Sequence, residues 1–363
     1  MIKIEKAKES MTSKRRIQKM FSHEKTDRVP IGYDANPNIH ERLCCALGVS
    51  NHEDLLQALG VDERPIMPSY IGPPLFQQIE NRIVDPLEGY VMRRVEHASG
   101  FYCDYCDFPL AEASEETIAS FPVPNPDLYD YSTAKEKAKA FENYGLYVAN
   151  PGIGCVINCL GMLMGMEEAL IRLYEEDEAV LTLIQRRTQS QLGMLERTLE
   201  ATQGLIDFMW LGEDLGTQKT PMISQEMYRS VIRPIHQQFV ELADAFHIPV
   251  LMHTCGSSSW AYEDFIQIGI KGVDTLQPEA VNMSPEYLVE HFGGRLAFRG
   301  CISTAGVVAT GTAEQVRQEV KHTLSIMMPT RSYCLAPTHC LQDNTPTENA
   351  IALYQSAHDN GVY

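Results

Sequence analysis

Residues 249–255 read PVLMHTC, and the interpretation of this stretch decides the fold. A proline opens it, an apolar run follows, and it ends on polar side chains. A short apolar run bounded by turn formers predicts a strand buried on both faces. GSS follows at 256–258, and residues 258–268 then predict a helix. The unit is therefore a strand, a polar strand end and a helix.

The same unit recurs on either side. Upstream, YGLYVANPG (144–152) precedes predicted helices over 160–173 and 177–202, and DFMWLGED (207–214) precedes a long helix from about 224 to 246. Downstream, GVDTLQP (272–278) precedes a helix over 284–292, LAFRGC (296–301) one over 312–326, and SYCLAPTHC (332–340) one over 346–360. At the start, a helix over 8–23 leads into DRVPIGYDA (27–35). Helices at 38–47 and 52–59 then lead into GVDERPIMPSY (60–70), and another helix covers 132–142. Residues 82–108 break the pattern: they are rich in aromatic and β-branched residues with glycine at turns, and predict a β-hairpin excursion. Residues 109–131, proline-rich and acidic, predict a surface loop.

Eight strands alternating with helices imply a parallel sheet. The count predicts a closed (β/α)8 TIM barrel, one domain over 1–363, with an N-terminal helical extension. An open doubly wound sheet is the alternative, but it would carry a G-x-G-x-x-G first turn, and NPGIGC (150–155) lacks that spacing.

A barrel gathers its chemistry at the C-terminal ends of its strands. There the sequence places Asp34, Glu213 and Asp214, His253 and Cys255, Gln277 and Glu279, Cys301, and His339 with Cys340. In an extended segment, residues two apart point the same way, so His253 and Cys255 can grip one ion. Thiolate and imidazole ligands favour zinc, and Cys340 across the mouth supplies a third ligand. The bland alternative for the pair is a packed cysteine and a hydrogen-bonded histidine. His339 points to the opposite side of an extended segment and ranks below Cys340. Glu213 and Asp214 are the catalytic carboxylate candidates, as a fourth zinc ligand or a proton donor; the alternative is a structural carboxylate bonded to backbone N–H groups. Asp343 and Asn344 are expected to cap the last helix. Met162, Met164 and Met166 line either an adaptable pocket or a packed helix. Cys103 and Cys106 share C-x-x-C spacing without a second pair, and Cys155 and Cys159 are expected in the core.

The net charge of −18 argues against a nucleic-acid or anionic-membrane partner. The basic, polar start lacks the features of a secretory signal, and ten cysteines without one suggest reduced thiols in a cytoplasmic protein. An acidic surface is compatible with a homodimer.

Several blocks in order resemble the uroporphyrinogen decarboxylase superfamily: GEDLGTQKTPMISQEMYRSVIRPIHQQF (212–239), HTCGSS (253–258), GIKGVDTLQPE (269–279), FGGRLAFRGCIS (292–303) and PTHCLQDNTPTENAIALY (337–354). The resemblance spans about 28–358 and also implies a TIM barrel. The decarboxylases carry an arginine pair after the first strand; here that region reads PIGYDANPNIHERL (30–43), which lacks it. The other branch comprises zinc-dependent methyltransferases that work with a corrinoid protein. Their metal motif, H-x-C with a distant cysteine, is matched at His253, Cys255 and Cys340. This resemblance implies Zn2+, a corrinoid carried by a partner protein, and methyl transfer between a small substrate and cobalt. Demethylation of a methoxylated compound is the favoured direction. Methylation of a thiol, or a metal-free decarboxylase or lyase on the same fold, are the alternatives.

Overall fold

The computed structural model describes residues 2–98 and 100–363. Seven parallel strands form one sheet in chain order. They are β1 (Glu63–Pro65), β2 (Gly145–Val148), β3 (Phe208–Gly212), β4 (Val250–His253), β5 (Gly272–Leu276), β6 (Ala297–Ile302) and β7 (Tyr333–Pro337). Residues of β3 to β7 are buried without alternation, as expected of strands covered on both faces.

The eighth stave is irregular. The Leu335 N–H donates to the Pro30 carbonyl, the Gly32 N–H to the Leu335 carbonyl, and the Asp62 N–H to the Ile31 carbonyl. Residues 30–32 thus join β7 to the start of β1 and close the barrel. The sequence predicts a short strand within 27–35; the structure reduces it to isolated bridges such as Ile31 with Leu335. Pro30 has no N–H to donate, so a regular ladder cannot run through it.

The helices follow the expected order, with two informative breaks. The helix expected over 160–173 divides into Ile157–Met164 and Met166–Tyr174 at Gly165, whose φ is +87°. The long helix after β3 contains a π turn at Tyr228–Ile232 immediately before Pro234. A proline inside a helix removes one N–H and crowds the carbonyl four residues back, and a π turn accommodates both.

The hairpin excursion is present, with Val91–His97 antiparallel to Gly100–Tyr105. Its far end leans on the barrel mouth, where the Phe101 N–H donates to Asp343 Oδ2 at 3.2 Å. At the opposite end, helix Ser13–Phe21 plugs the floor. Ile17 packs with Phe208, Trp210 and Leu251. The approach demands Gly145, where a Cβ would sit 2.4 Å from Ile17 Cγ1.

Candidate metal centre

His253 is the last residue of β4 and pairs in register with Asp274 on β5. Its Nδ1 lies 2.8 Å from Asp274 Oδ2 and 2.6 Å from Thr275 Oγ1. Consecutive residues of a regular strand face opposite ways. Here the register slips between Asp274 and Leu276, and Thr275 takes φ +63°, so both side chains reach the same ring. With Nδ1 engaged, Nε2 faces Cys255 Sγ at 3.6 Å. The His339 ring stands edge-on to His253 at 5.7 Å between centroids. Ligand atoms of His253, Cys255 and His339 all lie within 4.8 Å of one another.

The backbone is strained around this cluster. Ala149, Thr275, Cys301 and His339, all non-glycine, have φ of +71°, +63°, +66° and +122°. Each lies at or just beyond the C-terminal end of a barrel strand. A residue held there costs on the order of 1–3 kcal/mol and persists only where its surroundings impose it.

Behind His253 stands one buried guanidinium. Arg299 donates from Nη1 to Asp274 Oδ1 at 2.8 Å, from Nη2 to Asp34 Oδ2 at 2.8 Å, and from Nε to Glu63 Oε2 at 3.1 Å. Three carboxylates share one cation. Burial pushes Glu63 up to about 7, against the pull of Arg299 and with help from Asp34. Burial would also raise Asp274, but Arg299 and then His253 hold it below the usual carboxylate range. Burial opposes the charge on His253, yet the Asp274 contact outweighs it and moves the ring upward.

The two predicted carboxylates part ways. Asp214 lies beside the cluster: Oδ1 accepts the Cys255 N–H at 2.9 Å and Oδ2 accepts Asn158 Nδ2 at 2.6 Å. Gly216 and Gly256 permit this, because their chain segments touch backbone to backbone and a Cβ on Gly216 would lie 2.4 Å from Ser257 N. Glu213 is buried and turned toward helix Ile157–Met164, accepting the Val156 and Ile157 N–H groups at 2.7 and 3.0 Å.

Other predicted residues are distributed as follows. Cys340 lines an adjoining cavity of about 410 Å³, together with Tyr33, Asp34 and Glu63. The structure therefore groups His339, which the sequence ranks lower, with His253 and Cys255. The strained turn explains the difference: at φ +122° the segment is not extended, so the two-residue alternation fails. Asp343 does not cap the last helix. Thr347–Asn360 begins after Pro346 with no side-chain cap, and Asp343 holds the hairpin instead. Met164 is core, and Met166 is exposed. Cys103 sits exposed in a hairpin strand, Cys159 is buried in its helix, and Cys301 is fully buried. Asp274, Thr275 and Arg299 escape the sequence reading. Their signal was a lone charge inside each of GVDTLQP and LAFRGC, since a buried charge must be paired.

The donor set suits zinc. An imidazole whose far nitrogen is fixed by a carboxylate is the usual support for a metal-ligating histidine. Burial, then Asp214, pushes the Cys255 thiol far above the ordinary range, which disfavours a free nucleophilic thiolate. A divalent cation would reverse that preference and offset the surplus carboxylates.

Among solved structures, the chain resembles a methyltransferase from Methanosarcina mazei, with TM-score 0.63 over 96% of this chain and 99% of the other, at 15% identity. At that identity the likeness speaks for the fold. No curated protein matches the chain. No helix among the described residues is long and apolar enough to cross a membrane. Residues 151–360 match the family described as uroporphyrinogen decarboxylase (URO-D). That match spans more than half of the 363 residues and takes in β3 to β7 with every donor of the cluster, and the chain belongs to the uroporphyrinogen decarboxylase family.

Proposed function

We propose that this protein is a zinc-dependent methyltransferase that moves a methyl group between a small substrate and the cobalt of a corrinoid presented by a partner protein. The observation that carries the reading is the His253–Cys255–His339 cluster, backed by the Asp274 carboxylate, at the barrel mouth. His253 and Cys255 would hold the zinc, completed by Cys340. Cys340 follows His339 directly in the chain and lines the cavity beside the cluster. Bound there, zinc would supply Lewis-acid polarisation of a substrate oxygen, or hold a substrate thiol as thiolate. The residues of the chain supply the rest. Asp274 and Thr275 fix the His253 ring, Asp214 fixes the Cys255 backbone, and Arg299 anchors Asp274. The favoured substrate is a methoxylated compound undergoing O-demethylation, with thiol methylation as the reverse reaction.

A metal-free lyase would need a free cation for a carboxylated substrate. Arg299 is engaged by three carboxylates, and Arg42 donates to the Asp343 carbonyl at 2.8 Å. Arg299 is not available without breaking these contacts, and Arg42 faces a different cavity, lined with Ile2, Cys45 and Thr347.

Metal analysis tests the proposal. Protein purified without chelators should contain about one zinc per chain. His253→Ala, Cys255→Ala and Cys340→Ala should each lose it, and His339→Ala should retain it; the reverse for the last two assigns His339 as the third ligand. Wild-type protein free of zinc would defeat the reading, and so would demethylation that proceeds without a reduced corrinoid carrier.

A further inference from the structure

The cavity beside the metal cluster has a wall of rings and a wall of carboxylates. Tyr33, His40, His52 and Tyr147 line one part, and Asp34 and Glu63 another. At about 410 Å³ it is of small-molecule size, within the roughly 300–1,000 Å³ usual for such sites. Cys340 lies at its edge, so the cavity adjoins the proposed metal position. The rings are held in place: the Tyr33 hydroxyl meets His40 Nδ1 at 3.0 Å, and the His40 and His52 rings lie 5.1 Å apart. Rings at such spacing offer stacking and edge contacts to a flat ligand.

The charge of the cavity is equally specific. The cation nearest Asp34 and Glu63 is Arg299, and its three donor positions are taken by Asp34, Glu63 and Asp274. The cavity-lining residues include no lysine or arginine. In metal-free protein above pH 7, where Glu63 is ionised, a ligand carboxylate would meet two carboxylates with no lysine or arginine free to pair with, in a partly desolvated site where such repulsion is weakly screened. An uncharged ring meets no such repulsion, and a hydroxyl or amide on it can donate to Asp34, which keeps 29% of its side chain exposed.

We propose that this cavity seats an uncharged methoxylated ring and rejects its carboxylated counterpart, with Asp34 and Glu63 setting the selection. Naming the ligand as a methyl donor rests on the methyltransferase reading; the charge selection itself does not.

Isothermal titration of the metal-free full-length protein at pH 8 with meta-methoxybenzamide and with meta-methoxybenzoate compares ligands of nearly equal shape that differ in charge, without turnover and with Glu63 ionised. The amide should bind at least about tenfold more tightly. Asp34→Asn should narrow that ratio about threefold or more, chiefly through tighter binding of the benzoate. Equal or tighter binding of the benzoate by the wild type overturns the proposal, whether or not the variant folds. Absence of binding by either ligand also overturns it, as does an about tenfold preference for choline, which would assign the cavity to a cation. If the amide preference holds while no methyl group reaches a reduced corrinoid carrier, the selection stands and the methyltransferase reading fails.

Discussion

Two arginine–carboxylate networks lie at opposite ends of this barrel and are built differently. At the floor, Arg16 and Arg28 share Asp62, and Arg16 also holds Asp27 at 2.8 Å. Two buried cations meet the largely buried Asp27 and Asp62 and the more exposed Glu9, which Arg28 holds at 2.7 Å, and helix Ser13–Phe21 covers them. At the mouth, the single Arg299 faces Glu63, Asp274 and Asp34. The floor sets two cations against three carboxylates, and its surplus carboxylate, Glu9, is the one exposed to solvent. The mouth carries a surplus of negative charge, surrounded by strained backbone and open to a cavity. Removing one partner from a buried network of this kind leaves an uncompensated charge, whereas surplus charge at a rim beside a cavity can interact with a ligand. The same residue types therefore serve stability at one end and, on the proposed function, binding at the other.

The sharpest way to break this contrast is at the floor. Asp62→Ala leaves Arg16 and Arg28 without their shared partner, and removing one member of a buried pair costs about 3–5 kcal/mol. Urea unfolding should show a loss of that size. A loss under about 1 kcal/mol would mean that the floor is not the stabilising end.

The two ends should also respond oppositely to pH. Burial would raise both Asp27 and Asp62, but their arginines hold them below the ordinary carboxylate value of 3.8. Their contribution is present above pH 3.8 and fades as the pH falls below it. Glu63 is pushed up to about 7 from 4.5, so the folded state holds a proton there that the unfolded chain releases. Its contribution is present below pH 4.5 and is lost as the pH rises through 7, by about 3 kcal/mol at full buried weight. In metal-free protein, Glu63→Gln should flatten this decline between pH 4.5 and 7.5. An unchanged slope would contradict the surplus of charge at the mouth.

A smaller effect is expected at Asp274. Asp274→Asn removes a charge from the support of His253 and should weaken zinc binding by about 10–100-fold in a competition titration with a chelator. Unchanged affinity would show that the carboxylate acts on Arg299 alone. The mildest change is Thr275→Val, which keeps the branched shape and loses the hydroxyl. About 1 kcal/mol, or roughly fivefold in zinc affinity, should be lost, with folding stability little altered.

Much of the barrel was legible before any coordinates. All eight staves fall within the segments expected from apolar runs, because strands covered on both faces must be apolar and short. His52–Leu59 has the expected limits: Asn51 caps it, accepting the Asp54 N–H, and Gly60 at φ +78° ends it. The first stave pairs only through isolated bridges, because Pro30 lacks the N–H that a continuous ladder needs.

The centre was only half legible. His253 and Cys255 stand two apart on one strand end, where alternation alone puts both on the same side. Asp274 and Arg299 each sit among apolar residues, but a lone charge in a run does not say which partner on which strand will neutralise it. His339 was placed by a left-handed turn that no side-chain alternation foretells.

By itself, the sequence determined the order of strands and helices, the closed parallel barrel and the strand end that bears His253 and Cys255, because these follow from local periodicity and short spacing. Only the tertiary structure decided that Asp274 and Thr275 would share one imidazole, that Arg299 would gather carboxylates from three separate segments, and that two arginines would serve the floor while one serves the mouth. The pairing of Asp274 and Thr275 on His253 and the gathering of carboxylates by Arg299 depend on register, a bulge and the closure of the sheet, which set distances between residues as many as 265 positions apart in the chain.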